Sequence, residues 1–133
     1  MAQPAPNLKN TAIILFAHGS QVSGANEEVQ RVAVRLGERV NCPSTAAFLD
    51  QAPPDLTAAI AGLVARGINR VIIIPYFLTM GTHISRDLPA LANRETERYQ
   101  GLSVELAAPM EGHPQLLDIL LDRMREASPL APK

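Results

Sequence analysis

The stretch VIIIPYFLTMGTHISRD, residues 71–87, gives the clearest indication of the fold in this chain of 133 residues. Its first four residues, Val71 to Ile74, form a continuous apolar run, which is typical of a strand buried on both faces of a parallel sheet. We expect Pro75 to end that strand and Gly81 to permit a sharp turn before His83. A titratable side chain therefore follows a buried strand, at the sheet edge where parallel α/β folds bind ligands.

Four strand–helix units can be recognised along the chain. The predicted strands are 11–17, 44–50, 71–74 and 102–106, and helical spacing follows in 26–40, 55–66, about 85–99 and 114–127. The third helix either begins near Ser85 and tolerates Pro89 in its first turn or is kinked at Pro89. Right-handed crossovers convert these units into a three-layer α/β/α domain with a four-stranded parallel sheet. Because the fourth strand alternates apolar and polar residues, it belongs at an edge, and the predicted order is 2-1-3-4.

Composition narrows the class of protein. A hydrophobic fraction of 47% and a net charge of −1 predict a single domain over residues 11–127, with a loose arm at 1–10 and a loose tail at 128–133. Twelve basic and 13 acidic residues give no electrostatic footprint for nucleic acid or an anionic membrane. Cys42 is the only cysteine, and no stretch has the length of a signal peptide or a membrane span, so a cytoplasmic protein is expected.

Three side chains that can bind metal lie at predicted strand ends. His18 follows the first strand, Asp50 ends the second and His83 follows the third. In the predicted fold all three face one edge of the sheet, and two imidazoles with a carboxylate suit a divalent ion such as cobalt, nickel, iron or zinc. The alternative is that they are unrelated polar residues, because polar side chains are common in the loops that follow strands.

Three segments resemble one enzyme family: AHGSQVSGANEEV (17–29), AFLDQAPPDL (47–56) and IIIPYFLTMGTHISRDLP (73–89). They are similar to the short CbiX/SirB-type sirohydrochlorin chelatases, a class II chelatase group. The resemblance implies a chelatase-like, flavodoxin-related fold and a homodimer. It also implies ATP-independent insertion of Co²⁺, Fe²⁺ or Ni²⁺, as substrate, into sirohydrochlorin in cobalamin or siroheme-type biosynthesis, without an organic cofactor.

The same resemblance assigns roles to individual residues. It implies that His18 and His83 are metal ligands and proton acceptors, whereas Asp50 stands where the family usually has Glu. Gln21 is a second departure, because Arg is common at that position. Neutral imidazole can both bind a metal and accept a proton from the pyrrole N–H groups.

Further residues are predicted to contact the tetrapyrrole. Arg86 is the first choice for its carboxylates, helped by backbone N–H groups near Ser20 and Ser85. The flat ring needs apolar walls, for which we select Tyr76, Phe77, Leu78 and Met80. A solvated surface charge is an equal alternative for Arg86, and packing in the core or a dimer contact is an equal alternative for the four apolar residues.

Two other functions remain compatible with the sequence. The histidine after the first strand also resembles that of mannose-type phosphotransferase IIA proteins, which carry phosphate, but that function leaves His83 unused. A metal-binding or metal-delivery protein would use the same residues as a chelatase. His113 precedes Pro114 and is expected to cap the last helix, whose surplus of leucines is one candidate for a dimer contact.

Overall fold

The computed structural model describes residues 7–131 and contains four strands and four helices in strict alternation. The bounds in chain order are β1 (Thr11–Ala17), α1 (Ser23–Val40), β2 (Ser44–Phe48), α2 (Leu56–Ala65), β3 (Arg70–Pro75), α3 (Thr82–Arg98), β4 (Ser103–Leu106) and α4 (Pro114–Glu126). Residues 1–6 and 132–133 of the predicted arm and tail lie outside the described residues, and the division into arm, domain and tail stays a prediction. No helix in the part of the chain that is described is long and apolar enough to cross a membrane.

The sheet is parallel throughout and has the order β2-β1-β3-β4, which confirms the predicted topology. β1 is buried along its whole length, as expected for a continuous apolar strand in the middle of a sheet. β4 is mostly exposed and forms one edge. The carboxyl ends of all four strands therefore meet along one edge, here called the carboxyl edge.

The main core lies between the sheet and the helices α2 and α3. It contains Ala12, Ile14, Phe16, Val71 and Ile73 from the strands, with apolar residues of both helices packed over them. The Asp55 carboxylate accepts a hydrogen bond from the backbone N–H of Ala58 at 2.8 Å, which caps α2 and defines where this helix begins. The second face of the sheet packs against α1 around Ala33 and Gly37.

Of three local predictions, one is confirmed and two were wrong. Pro75 ends β3 as expected: it is the last residue of the strand and is paired with Phe16. α3 begins at Thr82, so Pro89 lies in its interior, and the alternative that placed Pro89 in the first turn was wrong; a kink at Pro89 stays a prediction. β3 is not buried on both faces: Val71 and Ile73 are buried, but Ile72 and Ile74 on the α1 side are only half-buried.

Candidate functional site

The loops that follow β1 and β2 are held together at the carboxyl edge. The backbone N–H of Leu49 donates to the carbonyl of Ala17 at 2.8 Å, and that of Asp50 donates to the carbonyl of His18 at 2.9 Å. Between them Gly19 has a φ of +88°, and a Cβ on it would overlap the backbone oxygen of Asp50. Only glycine fits this position, so the backbone that carries His18 is fixed by the second strand–loop unit.

The His18 side chain is exposed to solvent, but one side of its ring packs against a buried aromatic residue. Its ring lies 4.8 Å from the ring of Phe77, at an interplanar angle of 83°, which is an edge-to-face contact. Phe77 is itself buried and packs against Phe16 at 6.1 Å, so it belongs to the main core. The backbone N–H of Tyr76 donates to the carbonyl of Phe16 at 2.7 Å and holds this loop in place.

His18 lies on an open cavity of about 490 Å³. Most of its walls are apolar, with a few hydroxyl, amide and imidazole groups among them, which is the usual character of a small-molecule site. The lining residues are Ala17, His18, Gly19, Ser20, Ala25, Asn26, Val29, Tyr76, Phe77, Leu78 and Thr79. Tyr76, Phe77 and Leu78, all selected from the sequence as walls, therefore do line one cavity with His18. Met80 packs against the main core instead.

Asn26 is a residue of this cavity that the sequence analysis missed. Its side chain accepts from the backbone N–H of Ser20 at 2.9 Å and donates to the Ser20 carbonyl at 2.7 Å. The Ser20 hydroxyl accepts from the backbone N–H of Val22 at 3.0 Å. The Ser20 N–H is thus occupied, and a substrate carboxylate must displace Asn26 to reach it. An Asn six residues after Ser20 was the available signal, since asparagine often bonds to local backbone.

His83 lies in the first turn of α3, on a different concavity. It borders a crevice of about 110 Å³ whose other lining residues are Phe16, Leu49, Ile84, Asp87, Leu88 and Leu91. Nη2 of Arg86 lies 3.2 Å from its Nδ1, and Nε of Arg86 donates to Asp87 at 3.2 Å. Arg86 is exposed and therefore free to turn toward a ligand, whereas the N–H of Ser85 is already bonded to the Gly81 carbonyl.

Asp50 has local partners. Its carboxylate accepts from the backbone N–H of Gln51 at 2.8 Å and from the Gln51 side chain at 3.2 Å. Within residues 7–131 there is no group of three or more His, Cys, Asp or Glu side chains placed to hold a metal ion. His18, Asp50 and His83 therefore share the carboxyl edge without forming such a group, and their assignment as ligands stays a prediction.

Glu111, in the connector between β4 and α4, is a second residue that the sequence analysis missed. Its carboxylate accepts from the backbone N–H of Met80 at 3.2 Å, which joins the connector to the loop that leads to His83. His113 caps α4 as expected, because its Nδ1 accepts from the backbone N–H of Gln115 at 3.1 Å. No sequence pattern pointed to Glu111, since its partner is a distant backbone group.

Comparison with known proteins gives consistent matches. Residues 12–127 match the family model described as CbiX. The chain is 27% identical to the sirohydrochlorin cobaltochelatase of Methanosarcina acetivorans, over 86% of this chain and 95% of that protein. It is 30% identical to the chloroplastic sirohydrochlorin ferrochelatase of Arabidopsis thaliana over 85% of this chain, but it spans only 51% of that enzyme.

Solved structures show the same fold. A CbiX protein from Marinobacter aquaeolei VT8 superposes with a TM-score of 0.76 at 28% identity, covering 87% of this chain and 95% of the other. The sirohydrochlorin chelatase SirB of Bacillus subtilis in complex with cobalt superposes with a TM-score of 0.78 at 22% identity, and this chain spans half of it. The family model covers most of the chain, and the fold of the chain matches that of a solved CbiX protein. The chain therefore belongs to the CbiX family.

Proposed function

We propose that this protein inserts a divalent metal, with cobalt the first choice and iron or nickel the alternatives, into sirohydrochlorin or a similar tetrapyrrole. The observation that carries the proposal is an exposed imidazole, His18, held against buried Phe77 at a cavity of about 490 Å³ with mainly apolar walls. Membership of the CbiX family supports it, as do the names of the relatives, which act on sirohydrochlorin with cobalt or iron.

In this mechanism the ring loses two inner N–H protons and gains one divalent ion, so its net charge is unchanged. His18 suits the proton transfer, because its ring is exposed and a neutral imidazole accepts a proton that it can pass to water. His83 is the second basic group on the same edge, and Asp50 a carboxylate that can attract the ion. Tyr76, Phe77 and Leu78 supply the apolar wall against which the ring lies.

We propose a homodimer as the working form. The chain spans about half of SirB and half of the Arabidopsis enzyme, so two copies would supply the mass of one such relative. Arg86 is the only basic residue among the predicted substrate contacts, and a ring with many carboxylates needs more donors than one copy offers there. The cytoplasmic location expected from composition stays a prediction.

The test is anaerobic visible spectroscopy of sirohydrochlorin with Co²⁺, Fe²⁺ and Ni²⁺ in turn, with and without protein. We expect the wild type to accelerate insertion of at least one metal, and His18→Ala to lower that rate by about 100-fold or more. His113→Asn is the matched control, because asparagine also caps a helix and the residue lies outside the cavity.

Each outcome has a defined meaning. Acceleration lost in His18→Ala but kept in His113→Asn supports the enzyme and its histidine. Binding of Co²⁺ or Ni²⁺ by the wild type without any acceleration would replace the enzyme with a metal-binding or metal-delivery protein. If the protein neither binds a metal nor accelerates insertion, both the enzyme and the metal-binding function are overturned.

A further inference from the structure

Asp87 can bind a metal ion, and none of the functions considered above uses it. It follows His83 by four residues in α3, and side chains at this spacing lie on the same face of a helix. Both residues border the crevice of about 110 Å³, whose other lining residues are all apolar. Two helical ligands four residues apart can share one divalent ion. His83 and Asp87, here called the His83–Asp87 pair, therefore have the spacing of a two-ligand cation site.

The guanidinium of Arg86 contacts both members of this pair. Its Nη2 lies 3.2 Å from Nδ1 of His83, and its Nε donates to Oδ1 of Asp87 at 3.2 Å. Guanidinium has N–H donors and no acceptor, so the His83 nitrogen and the Asp87 oxygen each present a lone pair to it. A divalent ion needs lone pairs from the same two side chains. Arg86 therefore takes the place of a cation at the His83–Asp87 pair and competes with any other.

Arg86 is held loosely in this position. The side chains of Arg86 and Asp87 are 68% and 60% exposed, and ion pairs that are open to water contribute little to stability. Each of its two contacts is a single hydrogen bond, whereas a free carboxylate can accept two parallel hydrogen bonds from one guanidinium. The proposed substrate is a tetrapyrrole with many carboxylates. One of them, on reaching the carboxyl edge, can draw Arg86 away from both partners at once.

We propose that Arg86 couples binding of the tetrapyrrole to binding of the metal. In the free protein Arg86 occupies the cation position of the His83–Asp87 pair. When a substrate carboxylate binds Arg86, Nδ1 of His83 and the Asp87 carboxylate become available together to the divalent ion. The inference rests on the proposed function and adds to it one ligand, Asp87, and a link between the two substrates. Because such coupling is reciprocal, the bound ion favours the ring by the same factor.

The coupling suits a protein that must bring an ion and a ring together. An ion is bound well only when a ring is present to receive it, so the free protein does not hold metal that it cannot transfer. The alternative is that Arg86 is a solvated surface charge whose contacts do not affect metal affinity. The two differ in what removal of the guanidinium does to the protein without a ring.

The first experiment measures Co²⁺ affinity without a ring, by isothermal titration calorimetry. Arg86→Met should bind Co²⁺ about 3- to 10-fold more tightly than wild type, because the competing cation is gone. Arg94→Met is the matched control, since Arg94 is another exposed arginine of α3 and its loss removes the same charge. Adding Asp87→Asn to Arg86→Met should reverse the gain. Equal affinities of Arg86→Met and Arg94→Met would overturn the proposal, as would no measurable binding by Arg86→Met.

The second experiment adds a ring that cannot take up cobalt. Zinc uroporphyrin carries carboxylates around its rim and already has a metal at its centre, so it tests binding without insertion. A saturating amount should raise the Co²⁺ affinity of wild type by the factor that Arg86→Met gives without the ring. It should raise the affinity of Arg86→Met itself by less than about 2-fold, because no guanidinium remains to be drawn away. An equal rise in both proteins would overturn the coupling.

These binding measurements do not depend on turnover, so they separate the coupling from the chelatase activity. A ring that binds and is metallated, but leaves Co²⁺ affinity independent of Arg86, overturns the coupling alone. Coupling without insertion supports the role of Arg86 and overturns the enzyme. If zinc uroporphyrin does not bind, the coupling is overturned together with the proposed class of substrate.

Discussion

Nη2 of the Arg86 guanidinium lies 3.2 Å from Nδ1 of His83, one turn earlier in α3. Guanidinium only donates hydrogen bonds, so Nδ1 must accept, and the proton of the neutral ring lies on Nε2. A divalent ion needs an unprotonated ring nitrogen, so in this arrangement neither nitrogen of His83 has a free lone pair. Metal binding by a neutral His83 therefore requires Arg86 to turn away, which frees the lone pair of Nδ1.

We expect Arg86→Met to change the tautomer balance of His83. Without the donor, the proton is no longer confined to Nε2, and the two neutral tautomers should become more equally populated. Nitrogen chemical shifts of the labelled imidazole measure this directly. Arg94→Met, an exposed arginine elsewhere in α3, is the control and should leave the His83 spectrum unchanged.

Gly19→Ala should destabilise the protein by at least about 2 kcal/mol, because φ is +88° and the new Cβ would overlap the Asp50 carbonyl oxygen. Gly24→Ala is the matched control. Nothing lies within 4 Å of a Cβ at Gly24, which is in α1, so alanine should be neutral or stabilising by up to about 1 kcal/mol. Urea unfolding measures both, and equal stabilities would contradict the loop geometry described.

Thr57→Val should cost about 1–3 kcal/mol, because it leaves the buried Glu95 carboxylate without its hydroxyl donor. The Thr57 hydroxyl donates to Oε1 at 2.8 Å, whereas Oε2 has no hydrogen-bond partner among the described residues. Adding Glu95→Leu should recover part of the loss, since no unpaired polar group then remains. Thr96→Val, which removes a hydroxyl bonded only to the Ala92 carbonyl, should cost less.

Neighbouring residues in the site loop should respond very differently to truncation. Phe77 is 6% exposed and contacts Phe16 and His18, so Phe77→Ala should cost about 3–5 kcal/mol. Leu78 is 69% exposed, and Leu78→Ala should stay within about 0.5 kcal/mol. Thermal and denaturant unfolding compare the two. A large loss for Leu78→Ala would mean that this side chain is covered in solution, as by a second copy.

Because of the ion pair between Arg70 and Glu105, the free energy of unfolding should depend on pH in the acid range. The hydrogen bond from Arg70 lowers the pKa of Glu105 below its ordinary value of 4.5. A carboxylate whose pKa is lower in the folded state than in the unfolded state stabilises the fold at pH values above its unfolded-state pKa. This stabilisation is lost as the pH falls through the folded-state pKa. Glu105→Gln should therefore be slightly less stable than wild type at pH 7 and no different in stronger acid. A difference that grew on acidification would contradict this.

The arrangement of the sheet was predictable because hydrophobic pattern reports burial. Continuous β1 occupies the centre and alternating β4 an edge, as the apolar runs indicated. The same rule failed at Ile72 and Ile74, which are half-buried on the α1 side because only one helix packs there. An apolar run indicates that a strand requires burial on that face. Which helix provides this burial depends on tertiary packing and is not encoded in the strand's own sequence pattern.

The positions of the candidate site residues in the fold were more predictable than their contacts. Strand ends placed His18, Asp50 and His83 on one edge, since parallel strands end together. The contact of Glu111 with Met80 joins a side chain to a distant backbone group and has no sequence signature. The contact of Asn26 with Ser20 was indicated only by the general tendency of asparagine to bond to local backbone. The sequence pattern also does not predict the direction in which a side chain points. The Asp50 carboxylate, for example, is hydrogen-bonded to Gln51.

The interlock between Gly19 and Asp50 affects the entropy of ligand binding. Two hydrogen bonds continue the β1–β2 ladder past the strands, so the backbone of His18 is already immobile before any ligand arrives. Ordering one residue costs about 1–2 kcal/mol, and here that loss occurs during folding rather than on binding. Only the imidazole torsions remain to be restricted when a ring or an ion reaches the carboxyl edge.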